Sequence, residues 1–277
     1  MCSSDLAASP PPLSRDPRLT LGFVAASALA VGLAAGAWWQ GRLLRSPYRQ
    51  ASELVPLLPA DGAAADRCAA LLGWRERQAP VDATNFGVRR PRDGAGGAVP
   101  NRPALIVLHE TVVPLEATLR LFATPHPRDA DQASYHVLIG RDGTVLRLVP
   151  DGERAYGAGW SAWGDASIRH RPGTPQAGGS INNVALHVSL ETPPDGRGDG
   201  DAHSGYTPAQ MRALAGQVLL WQLRWGIPQR RITTHAAVDR SQSRRDPRSF
   251  RWERFAQAWS AAAGRCKVSG AYGLEAP

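Results

Sequence analysis

Residues 104–109 read ALIVLH, five apolar side chains in a row closed by a histidine. A run this short, rich in branched residues, reads as a strand buried on both faces, the habit of strands inside a covered sheet. Working outward, residues 184–191 (VALHVSLE) alternate instead: Leu186, Val188 and Leu190 on one face, His187, Ser189 and Glu191 on the other. Residues 134–139 and 144–149 are two further β-rich runs, and Gly140-Arg141-Asp142-Gly143 between them reads as a hairpin turn. Residues 115–122 fit a short helix. A longer helix starts at Thr207-Pro208, where Thr207 can be the N-cap, Pro208 the first helical residue and Gln210 the closing member of a capping box. Met211, Leu214, Ala215, Val218 and Leu219 recur at helical spacing until Gly226 stops the run. Residues 231–234 then predict a short strand running into His235. Strands, a hairpin and a long helix around one core make an α/β domain of about 165 residues, an ordinary domain size.

Upstream the texture differs. Residues 1–18 are rich in Ser, Pro and Asp and read as unstructured. Residues 19–39 (LTLGFVAASALAVGLAAGAWW) carry no charge, and a span of about 20 apolar residues crosses a bilayer. Ala35-Gly36-Ala37 resembles a signal-peptidase site, so a cleaved signal peptide and a retained anchor both fit, and a core helix is the alternative. Export, with membrane anchoring through residues 19–39 as one form of it, puts the domain in the periplasm or cell envelope. Residues 40–101 read as a connecting region with a short helix near 63–75, residues 102–262 as the α/β domain, and 263–277 as a tail.

The 277 residues allow one generous domain and not two large ones. At 43% hydrophobic the chain can build a core. The net charge of +8 favours acidic partners, but no Lys/Arg run interleaved with aromatics resembles a nucleic-acid footprint, so no nucleic-acid partner is expected. Nothing in the sequence calls for more than a monomer. Cys2, Cys68 and Cys266 form no CxxC pair, which argues against a thiolate metal knuckle. Cys68 and Cys266 flank the domain and read either as a disulfide of an exported protein or as two unrelated small core residues.

His109 and His235 each close a β-run, and Asp246 follows in a polar loop. Two imidazoles and a carboxylate are a catalytic zinc set that leaves a fourth position for water. Their wide spacing is weak by itself, and from the residues alone His109 reads more readily as a hydrogen-bonded strand-end histidine.

Four blocks sharpen this: VLHET around His109, ASYHVLIGRDGTVLRLVPD from Ala133, NNVALHVSLE from Asn182, and TTHAAVDRSQSRRDPRSFRW from Thr233. Together they resemble the N-acetylmuramoyl-L-alanine amidase type 2 family, relatives of phage amidase lysozymes and peptidoglycan recognition proteins, across residues 102–259. The resemblance implies a mixed central β-sheet flanked by helices with a single zinc site in a surface groove. It implies hydrolysis of the amide between N-acetylmuramic acid and L-alanine in peptidoglycan, with peptidoglycan or muropeptides as partner. The zinc ligands then fall on His109, His235 and Asp246. The family's glutamate, in a strand like SIGIE, falls on Ser189 without a gap and on Glu191 after a two-residue slide. Glu191 is the one able to take a proton and is the expected base. Tyr135 matches a tyrosine that assists catalysis in the phage and recognition-protein branch, and His136 a histidine of the other branch. On a strand these two face opposite ways. Trp160, Trp163 and Tyr156 can stack on sugar, line the peptide groove, or pack in the core.

Two departures stand out. An AWHAG-like motif appears here as Ala155-Tyr156-Gly157-Ala158-Gly159, without its histidine. Arg244 stands where a lysine usually precedes the aspartate, a planar fork in place of an ammonium, able to steady an oxyanion. The alternatives are a non-catalytic peptidoglycan-binding module of the same fold, and an exported zinc hydrolase acting on another amide.

Overall fold

The computed structural model describes residues 56–163, 179–198 and 200–268. Residues 1–39, with their expected unstructured start and hydrophobic segment, lie outside the described residues, as does most of the tail. Among the described residues no helix is long and apolar enough to cross a membrane.

The elements run α1 (Gly62–Leu72), β1 (Arg77–Gln78), β2 (Phe86–Val88), β3 (Leu105–Glu110), α2 (Leu115–Ala123), β4 (Val137–Ile139), β5 (Val145–Arg147) and β6 (Glu153–Ala155). They continue with β7 (Ala185–Leu190), α3 (Pro208–Trp225), β8 (Ile232–Thr234), α4 (His235–Val238) and α5 (Trp252–Cys266). Six strands form one sheet in the order β1-β5-β4-β7-β3-β8, and β2 pairs with β6 in a small second sheet. Only β4–β5, the expected hairpin, is antiparallel within the large sheet; the other pairs run parallel.

The apolar run at 104–108 leads into β3, an internal strand of the sheet buried at every position. Ile106 and Leu108 face a core built with Leu214, Val218 and Trp221 of α3 and Phe255 of α5, while Leu105 and Val107 face the opposite layer. β3 pairs with β7 along its whole length on one side and with β8 at Ile106–Leu108 on the other, so its backbone is bonded within the sheet while both faces stay dry. The capping box on α3 forms as the sequence predicts: Thr207 Oγ1 accepts from Gln210 N–H, Gln210 returns the bond, and Gly226 closes the helix in a left-handed conformation.

From residue 56 onward, the region read as a connector is part of the fold. It supplies α1, β1 and β2, and its signals are weak because β1 spans two residues. That strand is held by side chains: the Arg147 guanidinium binds Glu76 at 2.8 Å and Asp151 at 2.5 Å and lies over the Trp221 ring. Trp74 packs against helix α3 where Gly216 leaves room; a Cβ there would stand 2.6 Å from the Trp74 ring. Cys68 of α1 and Cys266 of α5 form a disulfide, which selects one of the two sequence readings.

Candidate metal centre and groove

β3 carries His109 to the end of the sheet, and β8, its parallel neighbour, carries the chain to His235 at the start of α4. Thr234 caps that short helix by accepting from Ala237 N–H. The loop after it is shaped by Asp239, whose carboxylate accepts from the backbone N–H groups of Ser241 and Arg244. Asp246 returns to α4, where its carbonyl accepts from Ala236 N–H at 2.9 Å.

The three side chains converge. His109 Nδ1 lies 3.2 Å from Asp246 Oδ2, and His235 Nδ1 lies 3.0 Å from Asp246 Oδ1. One ligand atom from each falls within 4.8 Å of the others, and all three residues are buried. Burial pushes the His109 pKa down to about 4, only partly opposed by Asp246. Burial would raise Asp246, but His235 and His109 outweigh it and hold the carboxyl far below the usual range. The donor set, imidazole nitrogens around an ionised carboxylate, has the chemistry of a three-ligand catalytic zinc site.

His109 is fully buried, while His235 and Asp246 open into a groove of about 720 Å³ lined also by Tyr135, Arg244, Arg154, Tyr156 and Trp160. Tyr135 lies over His109 with ring centroids 4.8 Å apart. Burial, with the Asp246 charge, raises the phenol's pKa well above its ordinary value, so it remains a hydrogen-bond donor. Trp160 is 43% exposed on the groove, whereas Trp163 is buried in the layer with Leu105 and Val107.

The structure does not bring Glu191 to this cluster. Its Oε2 accepts from the Arg141 backbone N–H at 3.0 Å in the hairpin turn, and it is not among the groove residues. The residue level with His109 on β7 is Ser189. His136 sits behind the groove, Nδ1 accepting from the His187 backbone N–H at 2.9 Å, so Tyr135 and His136 do face apart.

Sequence reasoning passed over two groups. His187 Nδ1 meets His109 Nε2 at 2.9 Å, and burial, then the neighbouring imidazoles, hold its pKa well below the ordinary value. Its signal was its place on the polar face of β7. At the end of β3, where it also borders the groove, Glu110 is buried and accepts from Arg248 N and Nε, Thr192 Oγ1 and Tyr206 Oη, with His203 Nε2 at 2.9 Å. Arg248 also donates to the carbonyls of Gly196, Gly198 and Gly200. Glu110 adjoins His109 and Arg248 lies two residues past Asp246, so this ion pair clasps the two ligand-bearing segments together.

The family model described as N-acetylmuramoyl-L-alanine amidase matches residues 99–249, more than half of the chain and including all three converging side chains. No curated protein sequence matches. Among solved structures, a selenomethionine derivative of AmpD is 24% identical with a TM-score of 0.46, over 67% of this chain and 96% of that one. AmiD from E. coli, in complex with anhydro-N-acetylmuramic acid-L-Ala-D-γ-Glu-L-Lys, is 24% identical with a TM-score of 0.45, over 58% of each chain. AmpDh3 from Pseudomonas aeruginosa, in complex with anhydromuramic pentapeptide, is 18% identical with a TM-score of 0.45, over 64% of this chain and 65% of that one.

Proposed function

The chain belongs to the N-acetylmuramoyl-L-alanine amidase type 2 family, and from that premise we propose that it hydrolyses the amide between N-acetylmuramic acid and L-alanine in peptidoglycan or muropeptides. The observation that carries the reading is the convergence of His109, His235 and Asp246 beside the groove. These residues would hold one zinc ion through two Nδ1 atoms and a carboxylate oxygen. Bound there, zinc supplies Lewis acidity, polarising the scissile carbonyl and bringing the pKa of water to about 7.

The remaining work falls to the chain's own groups. Asp246, kept ionised by its imidazole neighbours, supplies the negative ligand. Tyr135 keeps its proton and donates a hydrogen bond to the oxyanion as the carbonyl becomes tetrahedral. Arg244, a permanent cation lining the same groove, steadies that charge. One such oxyanion donor is worth about 10²–10³ in kcat. Tyr156 and Trp160 offer aromatic faces for sugar or stem peptide. Glu191 anchors the β4–β5 hairpin through Arg141 and does not line the groove, which speaks against the base role expected of it. Glu191→Gln is therefore expected to keep kcat within about tenfold, where losing a true general base costs about 10²–10⁴.

We place the domain in the cell envelope, since a disulfide between Cys68 and Cys266 suits an oxidising compartment. The test is incubation of the purified full-length protein with muropeptides, with and without a chelator, products read by mass spectrometry. Free stem peptide that disappears on chelation and returns with zinc is the expected result. Intact muropeptide in the presence of bound zinc would refute amidase activity on that substrate and favour the binding-module reading.

A further inference from the structure

We propose that His187 is a positioning residue that sets the tautomer of His109, and through it the strength of metal binding; the inference rests on the zinc reading above. A neutral imidazole carries one proton for two nitrogens. If Nδ1 gives its lone pair to a metal, Nε2 must carry the hydrogen and needs an acceptor, and in a buried site that acceptor decides which nitrogen is bare. His109 turns Nδ1 toward Asp246 and His235, and turns Nε2 toward His187 Nδ1 at 2.9 Å. His109 and His187 are both fully buried, so water cannot substitute for either partner.

The His187 ring is fixed by packing and by its strand, its Nε2 having no hydrogen-bond partner among the described residues. Its strand is tied to His136, whose Nδ1 accepts the His187 backbone N–H at 2.9 Å, and the two rings stack at 5.8 Å with planes 16° apart. Across from them is Gly157: a Cβ there would stand 2.6 Å from His187 Nδ1 and Cγ. No side chain fits at 157 while the ring keeps this position. This accounts for a departure seen in the sequence. The AWHAG-like motif loses its histidine at 157, and an imidazole from the polar face of β7 fills the space. The AYGAG reading and His187 are thus two halves of one arrangement.

Packing alone would also bury a histidine here, but it makes no demand on metal affinity. The experiment measures zinc affinity of the full-length protein by competition with a chromogenic chelator for the wild type, His187→Leu and His187→Asn. Thermal melts of the zinc-free proteins report folding. Leu keeps bulk and removes the acceptor; Asn can set its Oδ1 near the Nδ1 position. The expected result is about 10–100-fold weaker zinc binding for His187→Leu, with His187→Asn recovering most of the loss. In the zinc-loaded wild type, ¹⁵N NMR is expected to show the His109 proton on Nε2. Unchanged affinity in a folded His187→Leu would overturn the proposal while leaving the zinc reading intact; a loaded His109 protonated on Nδ1 would overturn the proposal together with the Nδ1 ligation assigned to His109. A wild type that binds no zinc would overturn both. Should His187→Leu fail to fold, the Asn variant and the wild-type NMR decide the matter.

Discussion

The disulfide offers the largest single perturbation of this fold. It joins Cys68 on α1 to Cys266 on α5 across a sequence separation of 198, so in the unfolded chain it closes nearly the whole described domain into one loop. The loop-entropy relation, applied to about 200 residues, gives about 18 cal/mol/K, or about 5 kcal/mol at 25 °C. Domain stabilities run about 5–15 kcal/mol in total, so the bond can account for a large share. The perturbation is Cys68→Ala with Cys266→Ala, followed by urea unfolding with tryptophan fluorescence. At an m-value of about 2 kcal/mol/M the midpoint should fall by about 2.5 M. Wild type measured in reductant should move by a similar amount, and reductant should leave the double variant unchanged. A midpoint shift below about 0.5 M would refute the reasoning. It would mean that Ala65, Leu72 and Trp74, packed against α3 and α5, hold the N-terminal segment in place without the covalent bond.

Three other outcomes follow from the site. Arg248→Met leaves Glu110 buried without its cation and should cost about 3–5 kcal/mol in urea melts; adding Glu110→Leu should restore part of that loss, and additive losses would argue against a coupled clasp. Tyr135→Phe should lower kcat toward muropeptide by about 10² with zinc affinity unchanged, whereas an equal fall in zinc binding would make the phenol structural. Gly157→Ala should displace the His187 ring and weaken zinc binding several-fold, by an order-of-magnitude argument from loss of one ligand-orienting contact. The same substitution in a His187→Asn background should have little further effect, and an undiminished one would break the link between the two positions.

Much of the architecture was legible because it rests on local signals. The apolar run before His109, the Gly140–Gly143 turn and the Thr207–Gln210 capping box each declare an element within a few residues. The start of the sheet was not legible. β1 has two residues and depends on Glu76 and Asp151 meeting Arg147, a contact of 71 residues' separation for Glu76 that no periodicity encodes. The Glu110–Arg248 clasp was missed for a related reason. Glu110 follows a histidine at a strand end, where an acidic residue reads as solvated, and it is enclosed by Thr192, His203, Tyr206 and Arg248, all distant in sequence.

The proton-handling side of the site shows how far strand alternation can carry an inference. His187, Ser189 and Glu191 share one face of β7, so a two-residue slide leaves the face unchanged and the pattern cannot choose among them. Register can. Ser189 is paired with His109 and Leu190 with Glu110, the last residue of β3, so Glu191 stands beyond the end of the paired strands. Two residues along a strand is about 6.6 Å, enough to take a carboxylate out of direct reach of the ligand cluster and into the hairpin turn, where Arg141 N–H binds it. At the level where a carboxylate could face the metal directly, this chain has a hydroxyl. Beside the cluster the groove offers Tyr135 and Arg244, a donor and a cation, while its Glu110 and Asp239 carboxylates are already engaged by Arg248 and by the Ser241 and Arg244 backbone N–H groups. A site so composed stabilises an oxyanion better than it stores a proton. Its rate should therefore depend more on Tyr135 and Arg244 than on any glutamate of the β7 strand.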